Sequence, residues 1–166
     1  MAAVVLLAAQ ASAAPAPQLT DPKGDTQVAA GDIVSATFSS GGARTMRVDL
    51  VVAAAPAEST PYSYEVRFTA GDCNYNAVLY NHPVSVLGFS KSGMGCDTAS
   101  SSLPAGDAAA SGSTITFKIP LSGALKKGVV VRDITAATSP SGLFSGAVLP
   151  VLQDTATTTA TYTIGR

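Results

Sequence analysis

The chain has 166 residues, of which 13% are charged and 46% hydrophobic, and its formal net charge is −1 at pH 7. This length suits one domain with a substantial core, and the composition differs from that of a disordered chain. The near-neutral charge excludes the basic surface that binding to nucleic acid or to an anionic membrane requires, so no nucleic-acid partner is expected.

The first residues have the pattern of an export signal. An apolar run over residues 2–9 leads into Ala-Ser-Ala at residues 11–13, which fits the small-residue motif of signal peptidase. We expect cleavage after Ala13 and a single secreted, extracellular domain over residues 14–166; the alternative is a disordered Ala-rich tail. No Lys or Arg precedes the run, so we expect the true start to lie upstream. No apolar stretch is long enough for a membrane span.

The segment DPKGD at residues 21–25 has two interpretations. Asp at the first position, Pro at the second and Gly at the fourth is the preferred pattern of a type I turn. The second interpretation is a calcium site, because a turn can bring carboxylates and carbonyls to one point. Its ligands would be Asp21, Asp25 and Asp32, with Asp154 added if the fold brings it near.

Apolar and polar residues alternate along most of the chain, which predicts strands with one buried face. The side chains predicted to face the core are Val34, Ala36, Phe38, Met46, Val48, Leu50, Val52, Tyr62, Tyr64, Val66, Phe68, Ile115, Phe117, Ile119, Ala160, Tyr162 and Ile164. We also predict strands in the segments NAVLYN, VSVLGFS and GVVVRDITAA. Gly88 is expected to mark a bulge, and GVVVRDITAA is expected to lie in the interior of its sheet. The segments between them, LPAGDAAASGS among them, are rich in turn formers.

Eight or nine short strands without a helix predict an all-β fold, a sandwich of two antiparallel sheets. A closed barrel is the alternative architecture. We expect a monomer.

Two cysteines, Cys73 and Cys96, are expected to form one disulfide in an exported chain. The bridge would close a loop of about 23 residues. A Cys2His2 metal site is excluded, because His82 is the only histidine.

The opening D-P-x-G-D, followed by GDIVSATFS and TMRVDLVVA, resembles the DOMON-like sandwiches, which include the family 9 carbohydrate-binding modules. The residues that carry this resemblance are Asp21, Pro22, Gly24, Asp25 and Asp32. The resemblance implies a jelly-roll-like sandwich and a structural calcium near the first turn, and it implies no particular ligand.

The chain also departs from these families. Family 9 modules hold sugars between exposed tryptophans, and this chain has no Trp. DOMON domains that bind haem use Met and His, for which this chain offers Met94 and His82. Met46 is predicted to be a core residue. No cofactor is expected, with a structural calcium at DPKGD as the alternative.

The segment CNYNAVLYNHP at residues 73–83 is the most site-like part of the sequence. Its candidate ligand-binding residues are Asn74, Tyr75, Asn76, Tyr80, Asn81 and His82. Amides donate and accept hydrogen bonds, which suits sugar hydroxyls or peptide groups, and an aromatic face adds an apolar platform. The alternative is a hairpin with turn-forming Asn and core Tyr residues.

No catalytic motif is present: the sequence has no G-x-S-x-G elbow and its few acidic residues lie at turns or on outward strand positions. The sequence therefore predicts a secreted, non-catalytic β-sandwich module that binds a glycan or an extracellular protein. One alternative is a structural or accessory extracellular domain without a small-molecule ligand. The second alternative is a hydrolase of unrecognised type.

Overall fold

A computed structural model describes residues 15–56, 62–81, 85–93, 96, 99–102, 107–140 and 154–165. The predicted signal segment at residues 1–13, together with His82 and Met94, lies outside these described residues. The described residues form strands and turns without a helix, so this part of the chain contains no helix that could span a bilayer.

Twelve strands occupy the described part of the chain. In chain order they are β1 Leu19–Thr20, β2 Ile33–Ser40, β3 Thr45–Val52, β4 Tyr62–Ala70, β5 Cys73–Asn81, β6 Ser85–Ser92, β7 Ala99–Ser102, β8 Ala108–Ser111, β9 Thr114–Pro120, β10 Val130–Pro140, β11 Asp154–Thr158 and β12 Tyr162–Thr163. The number exceeds the predicted eight or nine because several strands have only two to four residues.

The strands form two antiparallel sheets that pack face to face, which confirms the predicted sandwich. The smaller sheet has the order β1-β2-β3-β9-β8, and the larger sheet has the order β11-β10-β4-β5-β6-β7, with β12 also paired to β10. The chain crosses from one sheet to the other after β3, after β7 and after β9. Because β10 is flanked by β11 and β4, the prediction of a central strand there is confirmed.

Alternating side chains of both sheets fill the core. The predicted inward faces of β3, β4 and β9 are all buried, including Met46. An aromatic series crosses the sandwich: Phe38 meets Phe68 edge-on at 5.7 Å, and Phe68 stacks on Tyr75 at 5.3 Å between ring centroids. Such contacts add to the hydrophobic gain of burying large side chains.

At the start of β2 the predicted register is wrong. Ile33 is buried while Val34 is only half-buried. The pairing of β2 with β3 shifts between Ile33 and Ser35, and an extra residue of this kind turns the preceding side chains to the other face. Gly88, where a bulge was predicted, pairs with Val78 in a regular register.

Two further predictions are wrong at the ends of the sheets. Residues 108–111, predicted as part of a turn, form β8, because all four of them pair with residues of β9 at the edge of the smaller sheet. Residues 159–164 do not form one strand: Ala160 is exposed, and β11 and β12 pair separately with β10. The two pairings lie on either side of an irregularity in β10 between Arg132 and Thr135.

The predicted disulfide between Cys73 and Cys96 is confirmed, with a Cα–Cα distance of 5.8 Å. It ties the start of β5 to the chain that follows β6. Gly93 makes this approach possible: its φ is +142°, and a Cβ there would lie 2.6 Å from the Asp72 carbonyl oxygen. A side chain at this position would push the loop away from Cys73.

Removing the bridge should destabilise the fold. On the chain-entropy model, a closed loop with a sequence separation of 23 residues contributes about 3 kcal/mol to the free energy of unfolding. We expect the double variant Cys73→Ser/Cys96→Ser to have a free energy of unfolding lower than that of the parent by this amount. Its unfolding midpoint in urea should therefore lie at a lower concentration. Labelling of both cysteines by a thiol reagent in the native, non-reduced protein would contradict the bridge.

Candidate functional site

Four aspartates from distant parts of the sequence meet at one end of the sandwich. Asp21 follows β1, Asp25 lies in the turn after it, and Asp32 immediately precedes β2. Asp154 is the first residue of β11, which belongs to the other sheet and lies against β1. The fold therefore places carboxylates from both sheets around one point.

The distances between these carboxylates fit a single cation. One oxygen from each of Asp21, Asp25 and Asp154 lies within 4.8 Å of the others. Calcium binds oxygen at about 2.3–2.6 Å, so two ligands on opposite sides of the ion are about 4.6–5.2 Å apart. The oxygens are thus close enough to share one ion.

The surroundings of the Asp32 carboxylate provide independent evidence for a bound cation. The Asp32 side chain is 2% exposed, and its Oδ2 accepts a 2.7 Å hydrogen bond from the Gly24 N–H. Among the described residues, neither its Oδ1 nor Asp21 Oδ2 has a hydrogen-bond partner, and both atoms are buried. A buried carboxylate oxygen without a partner is costly, because it has lost water and gained nothing in exchange. A bound cation would supply the missing interaction.

Hydroxyl groups of the larger sheet hold the acidic loop in place. The Tyr64 hydroxyl of β4 donates to the Ala30 carbonyl oxygen at 3.1 Å, and the Thr138 hydroxyl of β10 donates to the Gly31 carbonyl oxygen at 2.5 Å. Asp154 Oδ2 accepts a 2.7 Å hydrogen bond from the Ile33 N–H. Three strands of the larger sheet therefore fix the end of the loop between β1 and β2 next to Asp32.

The carboxylates repel one another. The pKa of Asp21 is raised above its ordinary value by desolvation and then by the charges of Asp154, Asp25 and Asp32. The pKa of Asp25 is raised in the same direction, first by desolvation and then by Asp154 and Asp32. Within the described residues the ion pairs are Arg47–Asp49, Arg67–Glu65 and Arg132–Asp133, so no arginine or lysine neutralises the four aspartates there.

Of the predicted calcium ligands, the structure brings oxygens of Asp21, Asp25 and the conditional ligand Asp154 within 4.8 Å of one another. Asp32 is not part of this group of three, but its charge raises the pKa of both Asp21 and Asp25. From the sequence, Asp21 and Asp25 are recognisable because they share one turn. Asp154 has no local motif, and its hydrogen bond to Ile33 spans 121 residues, so the sequence could name it only as a conditional ligand and the fold shows that it is near. Tyr64 and Thr138 appear in the sequence as ordinary strand residues, and their role in anchoring the loop depends on the fold.

The second predicted site is divided by the alternation of β5. Asn74 and Asn76 lie on the outer face of the larger sheet, and Tyr80 follows on the same face with 38% of its surface exposed. Tyr75 is a correction to the predicted ligand set: it is 3% exposed and stacks between Phe68 and Phe89 in the core. Asn81 is the last residue of β5.

Neither a protein-family model, nor a curated protein, nor a solved structure matches the chain. The resemblance to DOMON-like sandwiches thus stays a prediction, and we infer the function from the geometry of the sites.

Removing the hydroxyl of Thr138 should loosen the acidic loop. In Thr138→Val the buried Gly31 carbonyl oxygen loses its donor, at a cost of about 1–3 kcal/mol in the free energy of unfolding. Thr135→Val, on the outer face of the same strand, is the matched control and should change stability little. Chemical denaturation of both variants measures the difference; equal stability of the two would contradict the anchoring role.

The raised pKa of Asp21 predicts how stability depends on pH without a cation. A folded-state pKa above the ordinary value of 3.8 means that the folded state binds the proton more tightly than the unfolded state. This contribution is fully present below pH 3.8 and is lost as the pH rises through the folded-state pKa. In chelator, Asp21→Asn should lessen the loss of stability as the pH rises through that range. Urea titrations at stepped pH test this; identical pH profiles for parent and variant would contradict it.

Proposed function

We propose that this protein is an exported, non-catalytic β-sandwich module that is stabilised by one calcium ion and that binds a glycan or protein partner through its surface. The observation that carries the calcium part is the convergence of Asp21, Asp25 and Asp154, with Asp32 beside them and with buried oxygens of Asp21 and Asp32 that have no hydrogen-bond partner among the described residues. The disulfide between Cys73 and Cys96 supports the exported part, since such bridges persist in oxidising environments.

Calcium suits this ligand set better than magnesium or a transition metal. The side chains offer oxygen, the donor type that hard cations prefer, and one oxygen from each of Asp21, Asp25 and Asp154 lies within 4.8 Å of the others. Magnesium keeps several of its waters and is usually bound by only one or two carboxylates, whereas calcium accepts more protein oxygens in a flexible geometry. Backbone carbonyls of the DPKGD turn and water would complete a coordination shell of six to eight oxygens, as calcium requires.

The arrangement favours a structural role for the ion. Asp32 and Asp154 each use one carboxylate oxygen to accept a backbone N–H, so their side chains are held in one orientation. Asp154 belongs to the larger sheet and the other three aspartates to the loop that leads into the smaller sheet. An ion bound by all four would join the two sheets and the N-terminal loop, and would cancel the repulsion among the carboxylates.

The partner-binding part of the proposal rests on the outer face of the larger sheet. Asn74, Asn76 and Tyr80 lie there on β5, away from the acidic loop. A rigid sheet that displays polar side chains on a fixed spacing suits recognition of an extended partner.

Calcium should raise the melting temperature of the protein, since a ligand that binds only the native state stabilises it. At a calcium concentration 100 times the dissociation constant the gain is about 2.7 kcal/mol, which corresponds to a shift of several degrees for a domain of this size. We expect the shift to saturate with calcium, to be reversed by chelator, and to be much smaller with magnesium. Differential scanning calorimetry in calcium, magnesium and chelator measures it.

Matched variants identify the site. Asp25→Asn removes an exposed ligand and should abolish most of the calcium-dependent shift with little effect on the fold in chelator. Asp72→Asn, at an exposed turn between β4 and β5, is the control and should keep the full shift. A melting temperature that is the same in calcium and chelator, or a shift that survives Asp25→Asn, would contradict the site.

A further inference from the structure

A shallow depression of about 440 Å³ lies on the outer face of the larger sheet. It runs across β10, β4, β5 and β6, and its polar lining consists of Arg67, Thr69, Asn74, Asn76, Ser90, Ser92 and Asp133. Small serine side chains on β6 lie beside longer side chains on the other strands, so the surface is concave there. Two of the three sequence-predicted ligand residues described on this face, Asn74 and Asn76, therefore belong to a wider polar site, and Tyr80 lies outside it.

Hydrogen bonds orient the side chains of this depression in advance. Glu65 accepts two hydrogen bonds from Arg67, at 2.7 and 2.8 Å, and so fixes the position of the guanidinium. The Thr69 hydroxyl donates to Asn74 Oδ1 at 3.0 Å, which leaves the Asn74 amide NH2 as a donor for a ligand. Side chains that are already ordered lose little conformational entropy when they bind.

Asp133 supplies a carboxylate acceptor through an unusual backbone. Its φ is +52°, in the left-handed region, at the irregularity of β10 between Arg132 and Thr135. Bulges of this type re-aim a side chain, and here the result is a carboxylate in the wall of the depression. Arg132 Nη1 donates to Asp133 Oδ2 at 2.7 Å and steadies it.

The charges of the depression favour a neutral ligand. Arg67 is paired with Glu65 and Asp133 with Arg132, so the four charges sum to zero. What remains is an array of donors and acceptors: the amides, the serine hydroxyls and the second carboxylate oxygen of Asp133. Vicinal hydroxyl groups both donate and accept, and therefore match such an array without a net charge.

An aromatic side chain lies farther along the same strand. Tyr80 projects from the outer face of β5 with 38% of its surface exposed, four residues beyond Asn76. At a rise of about 3.3 Å per residue, the two positions are about 13 Å apart. One sugar ring cannot bridge this distance, whereas an oligosaccharide can hydrogen-bond in the depression and place a later ring against Tyr80.

We propose that the outer face of the larger sheet binds a neutral, extended oligosaccharide that lies along β5. Hydroxyl groups bind in the depression at Arg67, Asn74, Asn76 and Asp133, and a more distant ring contacts Tyr80. This inference rests on the proposed function, whose glycan-binding part it makes specific, and it is independent of the calcium site.

The test is binding of soluble neutral oligosaccharides by isothermal titration calorimetry in excess calcium. The probes are the cello-, xylo- and malto-oligosaccharide series, each from monosaccharide to hexasaccharide, with an oligogalacturonide series as the anionic comparison. We expect at least one neutral series to bind, with an affinity that rises with chain length until the ligand spans both positions. Binding of none of the neutral series, tighter binding of the anionic series, or an affinity independent of length would overturn the proposal.

Variants locate the ligand on the sheet. Asn74→Ala should weaken binding of all lengths by about fivefold to tenfold, as expected for the loss of one hydrogen bond and its oriented donor. Tyr80→Ala should weaken only the long oligosaccharides and leave the short ones unchanged. Thr37→Ala, on the outer face of the smaller sheet, is the control. Equal affinity of Asn74→Ala and the control, with unchanged melting temperatures, would overturn the proposal even if the calcium-dependent shift is present.

Discussion

Mutual repulsion among Asp21, Asp25, Asp32 and Asp154 is the constraint on which this end of the molecule depends. The four carboxylates lie together because Asp32 and Asp154 accept backbone hydrogen bonds that fix their positions, and because Tyr64 and Thr138 hold the loop from the opposite sheet. The pKa values of Asp21 and Asp25 are raised first by desolvation and then by the charges of the neighbouring aspartates. A bound calcium ion would change the repulsion into attraction and would supply a partner for the buried oxygens of Asp21 and Asp32 that have none among the described residues.

The proposed calcium site and the proposed binding surface lie in different parts of the molecule. The acidic loop closes the end of the sandwich where β2 and β11 begin, whereas the polar depression lies on the outer face of the larger sheet. The disulfide secures the start of β5, the strand that supplies Asn74, Asn76 and Tyr80. The proposed ion and the covalent bridge would thus stabilise the sheet whose outer face carries the proposed binding surface.

Much of the fold was predictable from the sequence, and the limits have physical causes. The alternation in β3, β4 and β9 predicted the correct buried faces because each strand has one face toward solvent and one face toward the core. At Val34 the prediction failed because a bulge changes the register without a local signal, and at residues 108–111 it failed because pairing with β9 outweighs the weak strand preference of alanine. The acidic cluster was partly predictable: a turn motif indicates Asp21 and Asp25, whereas Asp154 could be named only as a conditional ligand until the tertiary fold placed it beside them. Tyr75 was misassigned because a site-like composition does not reveal which strand face each residue occupies.

A crystal structure of the mature protein grown in calcium, with anomalous diffraction data, tests the calcium site most directly. We predict one anomalous peak within about 2.3–2.6 Å of carboxylate oxygens from Asp21, Asp25, Asp32 and Asp154, completed by backbone carbonyls or water. Such a peak would show that one ion joins the two sheets. A site without a peak at saturating calcium, or an ion held by exposed Asp25 alone, would contradict the account and leave DPKGD as a turn.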